Sequence, residues 1–184
     1  MSQYYLDIET TGFNPKEDKI ITIQFQELDS YGKPYGKINI YKEWEMGEEA
    51  LITHFHNLFM SDNVWSFIPI CTNHIFDLTF LFEKFRQYKL KCPNLSDFLY
   101  KKPLIDIKYM LIMANNLSFR GSGLDQMTNK TMDGSNVPEW YNNKEYGKIE
   151  EYIQMEANAF IEFFQKCLKN LPGLIKCNTI KKSM

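Results

Sequence analysis

Tyr4-Tyr5-Leu6-Asp7-Ile8-Glu9-Thr10-Thr11-Gly12 is a short apolar run that carries two carboxylates and stops at a glycine. Read as a strand, its side chains alternate between faces, so Asp7 and Glu9 point one way while Leu6 and Ile8 point the other. Burying ionised carboxylates is unfavourable unless a cation or strong hydrogen-bond donors compensate. Two explanations fit the pair: a solvent-facing edge strand, or a metal site.

Downstream, a polar turn containing Pro15 leads to Lys19–Gln26, a β-branched and aromatic run with strand character. The connection Ser30–Gly36 reads as a hairpin, and Lys37–Tyr41 as a third strand, so the opening strand begins an antiparallel meander. Glu48–Phe59 places Leu51, Ile52, Phe55, Leu58 and Phe59 at helical steps. Val64–Ile70 is a fourth strand, bent at Pro69, and it is followed by a helix marked by Leu78, Leu81, Phe82 and Phe85. Asp77 falls in the first turn of that helix, just past the carboxyl end of a strand, where open α/β sheets place ligands. By itself, such an acid is also what a helix dipole favours.

Pro103–Ile107 is a fifth strand and Lys108–Ala114 a short helix. Residues 115–147 are polar and glycine-dotted, with a short helix at Leu124–Thr128 and the aromatics of Val137–Tyr141 in a loop-like setting. Irregular stretches of that length in one domain are usually functional or mobile. The last helix carries an apolar stripe of Ile149, Ile153, Ala157, Phe160, Ile161, Phe164 and Leu168, with Leu171-Pro172-Gly173 as its stop. The domain is expected over 1–174, with 175–184 a frayed basic tail. On the last helix Tyr152 and Glu156 stand one turn apart on the same side, beside the apolar stripe.

A chain of 184 residues with 44% hydrophobic, 15% aromatic and 24% charged residues has the composition of one folded domain, not of a disordered segment. Its net charge of −2 offers no global basic footprint, so nucleic-acid binding would have to come from local lysines and metal ions. The four cysteines (Cys71, Cys92, Cys167 and Cys177) lack zinc spacing and read as reduced thiols. With no signal-like start and no apolar run of membrane-spanning length, the expectation is a soluble cytoplasmic protein without a membrane partner.

Three acidic positions now stand in order: on the first strand, after the fourth, and on the C-terminal helix with a tyrosine one turn earlier. Leu6-Asp7-Ile8-Glu9-Thr10 resembles the first motif of the DEDD 3′–5′ exonucleases, Asn73-His74-Ile75-Phe76-Asp77-Leu78 the second, and Tyr152-Ile153-Gln154-Met155-Glu156-Ala157 the third motif of the tyrosine subclass. The resemblance follows nearly the whole chain in order and spacing, and is greatest to the proofreading domains of family B DNA polymerases. It implies an α/β, ribonuclease H-like fold: a mixed five-stranded sheet, its first three strands antiparallel, flanked by helices. It also implies two Mg²⁺ or Mn²⁺ ions, with Asp7 bridging them, Glu9 and Glu156 completing the first site, Asp77 holding the second, and Tyr152 orienting water with Glu9. Thr10, Thr11, Gly12, Phe13 and Asn73 become substrate contacts, with Trp140 and Tyr141 as further stacking candidates.

Where that family carries aspartate this chain has Glu156, whose extra methylene shifts the carboxylate and bears on activity and on the choice between Mg²⁺ and Mn²⁺. The expected activity is metal-dependent 3′–5′ hydrolysis of single-stranded ends, DNA before RNA, releasing 5′-mononucleotides. The alternatives are a 3′–5′ exoribonuclease, a catalytically weak nucleic-acid-binding relative, and a structural domain without a nucleic-acid role. A proofreading or repair role would need a separate polymerase or repair partner.

Overall fold

The computed structural model describes residues 1–176, with side chains to residue 170. β1 (Gln3–Thr10), β2 (Ile20–Leu28) and β3 (Pro34–Lys42) form the antiparallel meander, and β4 (Ile68–Cys71) and β5 (Ile105–Asp106) extend the sheet in parallel from the other side of β1. The order is β3-β2-β1-β4-β5, so the acid-bearing strand lies in the middle of the sheet and is no edge. The helices are α1 (Glu43–Met46), α2 (Glu48–Phe59), α3 (His74–Gln87), α4 (Leu95–Lys101), α5 (Lys108–Ala114), α6 (Leu124–Met127), α7 (Val137–Asn142) and α8 (Tyr146–Lys176).

Strand alternation sorts the two faces of β1. Leu6 and Ile8 join Leu51, Ile52, Phe55 and Phe59 of α2 and Leu78, Leu81, Phe82 and Phe85 of α3 in one core. Each of these large side chains contributes about 1.5–3 kcal/mol by leaving water. Tyr5 points the opposite way and packs on Phe160 of α8, ring centroids 4.7 Å apart. Asp7 and Glu9 share the parity of Tyr5, so both carboxylates lie on the α8 side of the sheet.

Several elements differ from the sequence expectation. The fourth strand begins at Ile68, not Val64, because Asn63 folds the preceding residues into a turn: its Oδ1 accepts the Trp65 N–H and its carbonyl the Ser66 N–H. Pro69 then sits inside the ladder without penalty. Ile68 N–H donates to Ser2, so the missing proline N–H would face β5, whose pairing starts only at Ile70. β5 is two residues long, shorter than Pro103–Ile107. α1 and α4 were not anticipated; α4 starts where the Asn94 side chain accepts the Asp97 N–H at 2.8 Å.

Val137–Asn142 is helical where a loop was expected, with Pro138 in the first turn, where a missing N–H is harmless. Leu171-Pro172-Gly173 does not end α8, which runs to Lys176: a proline removes one backbone hydrogen bond and need not stop a long helix. The expected boundary at 174 therefore falls inside α8, and the tail beyond 176 lies outside the described residues. No described helix is long and apolar enough to cross a membrane.

Candidate active site

The first two acids are held by their own sheet. Asp7 pairs across the ladder with Gln24 and Glu9 with Thr22. Gln24 Nε2 donates to Asp7 Oδ2 at 2.8 Å and approaches Glu9 Oε1 at 3.5 Å, while Thr22 Oγ1 donates to Gln24 Oε1 at 2.8 Å and fixes the amide. Tyr5 OH lies 3.4 Å from the same Asp7 oxygen. The β1–β2 register shifts between Glu9 and Thr10, which ends regular pairing at the site and lets the chain turn away.

α8 brings the third acid over them. Asp7, Glu9 and Glu156 each present an oxygen such that all three atoms lie within 4.8 Å of one another. Tyr152, one turn earlier, is buried beside Trp140. A fifth side chain, which no sequence motif marks, completes the group. Lys130 Nζ lies 2.8 Å from Tyr152 OH, 3.1 Å from Glu156 Oε2 and 4.6 Å from the centre of the Tyr152 ring. No local pattern marks Lys130, since a lysine in a polar stretch ordinarily reads as solvated.

Residues 128–138 wrap this corner. Thr131 bonds to Met155 Sδ, and the 3₁₀ turn Gly134–Asn136 packs on Tyr152 so closely that a Cβ at Gly134 would overlap the phenol oxygen.

Asp77 arrives from the other side of the sheet, on the first turn of α3, and is 2% exposed. It stands outside the trio of converging oxygens but is coupled to it. Burial and the Asp7 charge push the Asp77 carboxyl well above its usual range. Burial, then the Glu156 charge, pushes Asp7 up to about 7, although the Gln24 hydrogen bond and the Lys130 charge oppose the rise. Glu9 is raised well above the ordinary carboxylate range by burial, Asp7 and Glu156. Tyr152 is held far above the usual phenol range by burial and the charges of Glu9, Glu156 and Asp7, so it stays neutral at all working pH values.

This is a site short of positive charge. One lysine faces four carboxylates, and buried Glu156 Oε2 receives no well-formed hydrogen bond, only the nearby ammonium. Oxygen-only donors at this spacing suit a hard divalent cation. The residues present fit such an ion.

The expected substrate contacts divide. Thr10, Gly12 and Phe13 line a cleft of about 280 Å³ with Ile8, Glu9, Phe76, Gly134, Ser135 and Pro138. Phe13 is 89% exposed and meets Phe76 edge to face at 6.2 Å. Thr11 serves the loop instead: its hydroxyl donates to Asp18 Oδ1 and accepts from the Lys19 N–H. Asn73, exposed and at φ 63°, stands outside the cleft lining. Trp140 and Tyr141 pack within the protein, against Tyr152 and against Trp44 and Tyr146. A larger groove of about 730 Å³ lies between α5, α6 and the far half of α8 but contains none of Asp7, Glu9, Asp77 and Glu156.

A family model for the RNase H superfamily matches residues 4–163. No curated protein matches the sequence. Among solved structures, the zinc-bound complex of E. coli exonuclease I with single-stranded DNA superposes with a TM-score of 0.66 at 15% identity, over 95% of this chain and 42% of that one. The complex of E. coli exonuclease I with a dT13 oligonucleotide gives 0.66 at 14% identity over the same shares. A further exonuclease I structure gives 0.63 at 14% identity, over 92% of this chain and 41% of that one. The chain thus spans about two fifths of the length of these exonucleases, and the likeness at this identity is one of fold.

Proposed function

The chain belongs to the RNase H superfamily, and from that premise we propose that it is a metal-dependent 3′–5′ exonuclease acting on single-stranded DNA ends. The observation that carries the reading is the convergence of Asp7, Glu9 and Glu156 within 4.8 Å, with buried Asp77 on the first turn of α3 and a buried tyrosine one turn from Glu156. Such a constellation serves phosphodiester hydrolysis. DNA is favoured over RNA because the matching folds include complexes with single-stranded DNA.

Asp7, Glu9 and Glu156 would hold one Mg²⁺ or Mn²⁺, and Asp7 with Asp77 a second. When bound, such ions neutralise the scissile phosphate and supply hydroxide near neutral pH. The chain's own residues do the rest. Tyr152, a phenol with an ordinary pKa of about 10, acts as a hydrogen-bond donor that orients the attacking water rather than as a base. Lys130 steers the Tyr152 hydroxyl and the Glu156 carboxylate at once, within hydrogen-bond and ion-pair reach. In the cleft beside Glu9, Phe13 and Phe76 offer aromatic surface to the terminal base, and the backbone at Thr10–Gly12 comes close to its sugar. The product is a 5′-mononucleotide.

The test uses 5′-labelled single-stranded DNA with Mn²⁺ or Mg²⁺. Stepwise shortening from the 3′ end, abolished by chelation and by Asp7→Ala, supports the reading; a full-length oligonucleotide, or equal activity in Asp7→Ala, refutes it. A matched RNA strand in parallel measures the sugar preference.

A further inference from the structure

Asp106, at the end of β5, lies outside the acidic cluster and accepts four hydrogen bonds with two oxygens. Oδ1 takes the N–H of Asn73 at 2.9 Å and of Lys108 at 2.8 Å; Oδ2 takes the N–H of His74 at 3.2 Å and lies 2.7 Å from His74 Nδ1. Its side chain is 7% exposed. One carboxylate therefore caps the starts of α3 and α5 together. Neither helix supplies a side-chain cap of its own: Asn73 and Ile107 make none.

The α3 start needs such a cap. Asn73 sits at φ 63°, ψ 52°, a left-handed conformation that Asn tolerates better than most side-chain-bearing residues, and through Thr72 and Asn73 the chain passes from β4 into the helix. Asp77 follows one turn later, so any relaxation at Asn73 and His74 moves its carboxylate relative to Asp7. We propose that Asp106 is a positioning residue for the metal site formed by Asp77, fixing the first turn of α3 through the Asn73 and His74 amides and the His74 ring. The inference rests on the two-ion reading given above.

Titration of metal-free protein with Mn²⁺, followed by calorimetry and electron paramagnetic resonance, tests it alongside steady-state kinetics on an oligo-dT strand and amide exchange at residues 73 and 74. Asp106→Asn keeps the shape and removes the charge and one acceptor. In it the amides of Asn73 and His74 exchange faster, one Mn²⁺ binds as in the parent, and the other binds roughly 10–100-fold more weakly, as loss of an outer partner does. Its kcat falls about 100-fold, as for a ~1 Å misplacement, with KM for DNA nearly unchanged, and high Mn²⁺ restores part of kcat.

Faster amide exchange with both Mn²⁺ affinities and kcat at parental values would mean that Asp106 is a helix cap only, and overturns the inference. Should Asp106→Asn fail to fold, His74→Gln decides: it removes only the ring contact, and weakening of the same ion supports the proposal while unchanged affinity defeats it. A parent that binds no Mn²⁺ overturns the exonuclease reading and this inference together. Parental binding that neither variant alters overturns this inference alone.

Discussion

Lys130 Nζ stands 3.1 Å from Glu156 Oε2, tying the carboxylate on α8 to a segment that the chain reaches by a long irregular path. In the same position the ammonium is 2.8 Å from Tyr152 OH and lowers the carboxyls of Asp7 and Glu9 against the upward push of burial. It is the one cation among these carboxylates in the described residues, and it shares them with any divalent ion that binds.

Replacing Lys130 by Met leaves buried carboxylates without their charge partner. Thermal unfolding in chelator should then show a loss of roughly 3–5 kcal/mol, the range for a broken buried pair. Mn²⁺ should restore most of it and bind several-fold more tightly than to the parent, while kcat falls because Tyr152 and Glu156 lose a common anchor. A metal-free melting temperature equal to the parent's would show that Lys130 carries no such load.

The raised Asp7 carboxyl sets the pH dependence of the metal-free protein. Between its ordinary pKa and about 7 the folded state keeps a proton that the unfolded state has released. The unfolded state binds fewer protons there, so the stability this group contributes is full below about pH 4 and is lost as pH rises towards 7. Melting curves in chelator should decline across this window, and saturating Mg²⁺ or Mn²⁺ should flatten the decline. Asp7→Asn, though inactive, should gain roughly 1–2 kcal/mol over the parent in chelator at pH 7.5, equivalent to a rise of about 2–8 °C.

Gly134→Ala puts a methyl group against the Tyr152 hydroxyl, with the ring carbon that bears it only 3.0 Å from the new Cβ. Either the tyrosine or the turn must shift, and the hydroxyl is expected to lose its place beside Glu156. The expected result is a fall of about 10–100-fold in kcat, as for a displaced positioning group, with Mn²⁺ affinity within a few-fold of the parent. Parental kcat in this variant would remove Tyr152 from the reaction.

Glu156→Asp withdraws the carboxylate by one methylene from Lys130. Mg²⁺ tolerates departures from ideal geometry less well than larger ions, so the ratio of Mg²⁺- to Mn²⁺-supported activity is expected to change, with Mg²⁺ gaining. Comparing kcat with each ion in parent and variant measures it; an unchanged ratio would mean that residue 156 does not govern ion choice.

Phe13→Ala removes an exposed ring from the rim of the cleft and should raise KM for single-stranded DNA. Stacking worth about 1–3 kcal/mol per base corresponds to roughly 5–150-fold, with kcat largely kept. Equal KM values would place the terminal base elsewhere.

Particular residues show how far the sequence could be read. Period-two alternation placed Asp7 and Glu9 on one face, and helical spacing placed Tyr152 and Glu156 one turn apart; both periodicities are local and survive folding. Asp77 was readable as a helix-start acid beside a strand end. Lys130, Gly134 and Asp106 were not, because each acts through a partner distant in the chain: Lys130 through Tyr152 and Glu156, Gly134 through Tyr152, Asp106 through Asn73 and His74. The short helices α1, α4 and α7, of four to seven residues, are too brief to carry a periodic apolar stripe, and of the three only α4 has a side-chain cap, from Asn94.

The sequence alone determined that two carboxylates share a face of the first strand and that two further acids sit on later elements in order. Tertiary structure decided that this strand is central, with both its neighbours paired, and that α8 lays Glu156 over Asp7 and Glu9. Alternation along a strand is a property of the backbone itself, whereas burial, mutual repulsion and the arrival of Lys130 arise only when distant segments exclude water from the same few ångströms.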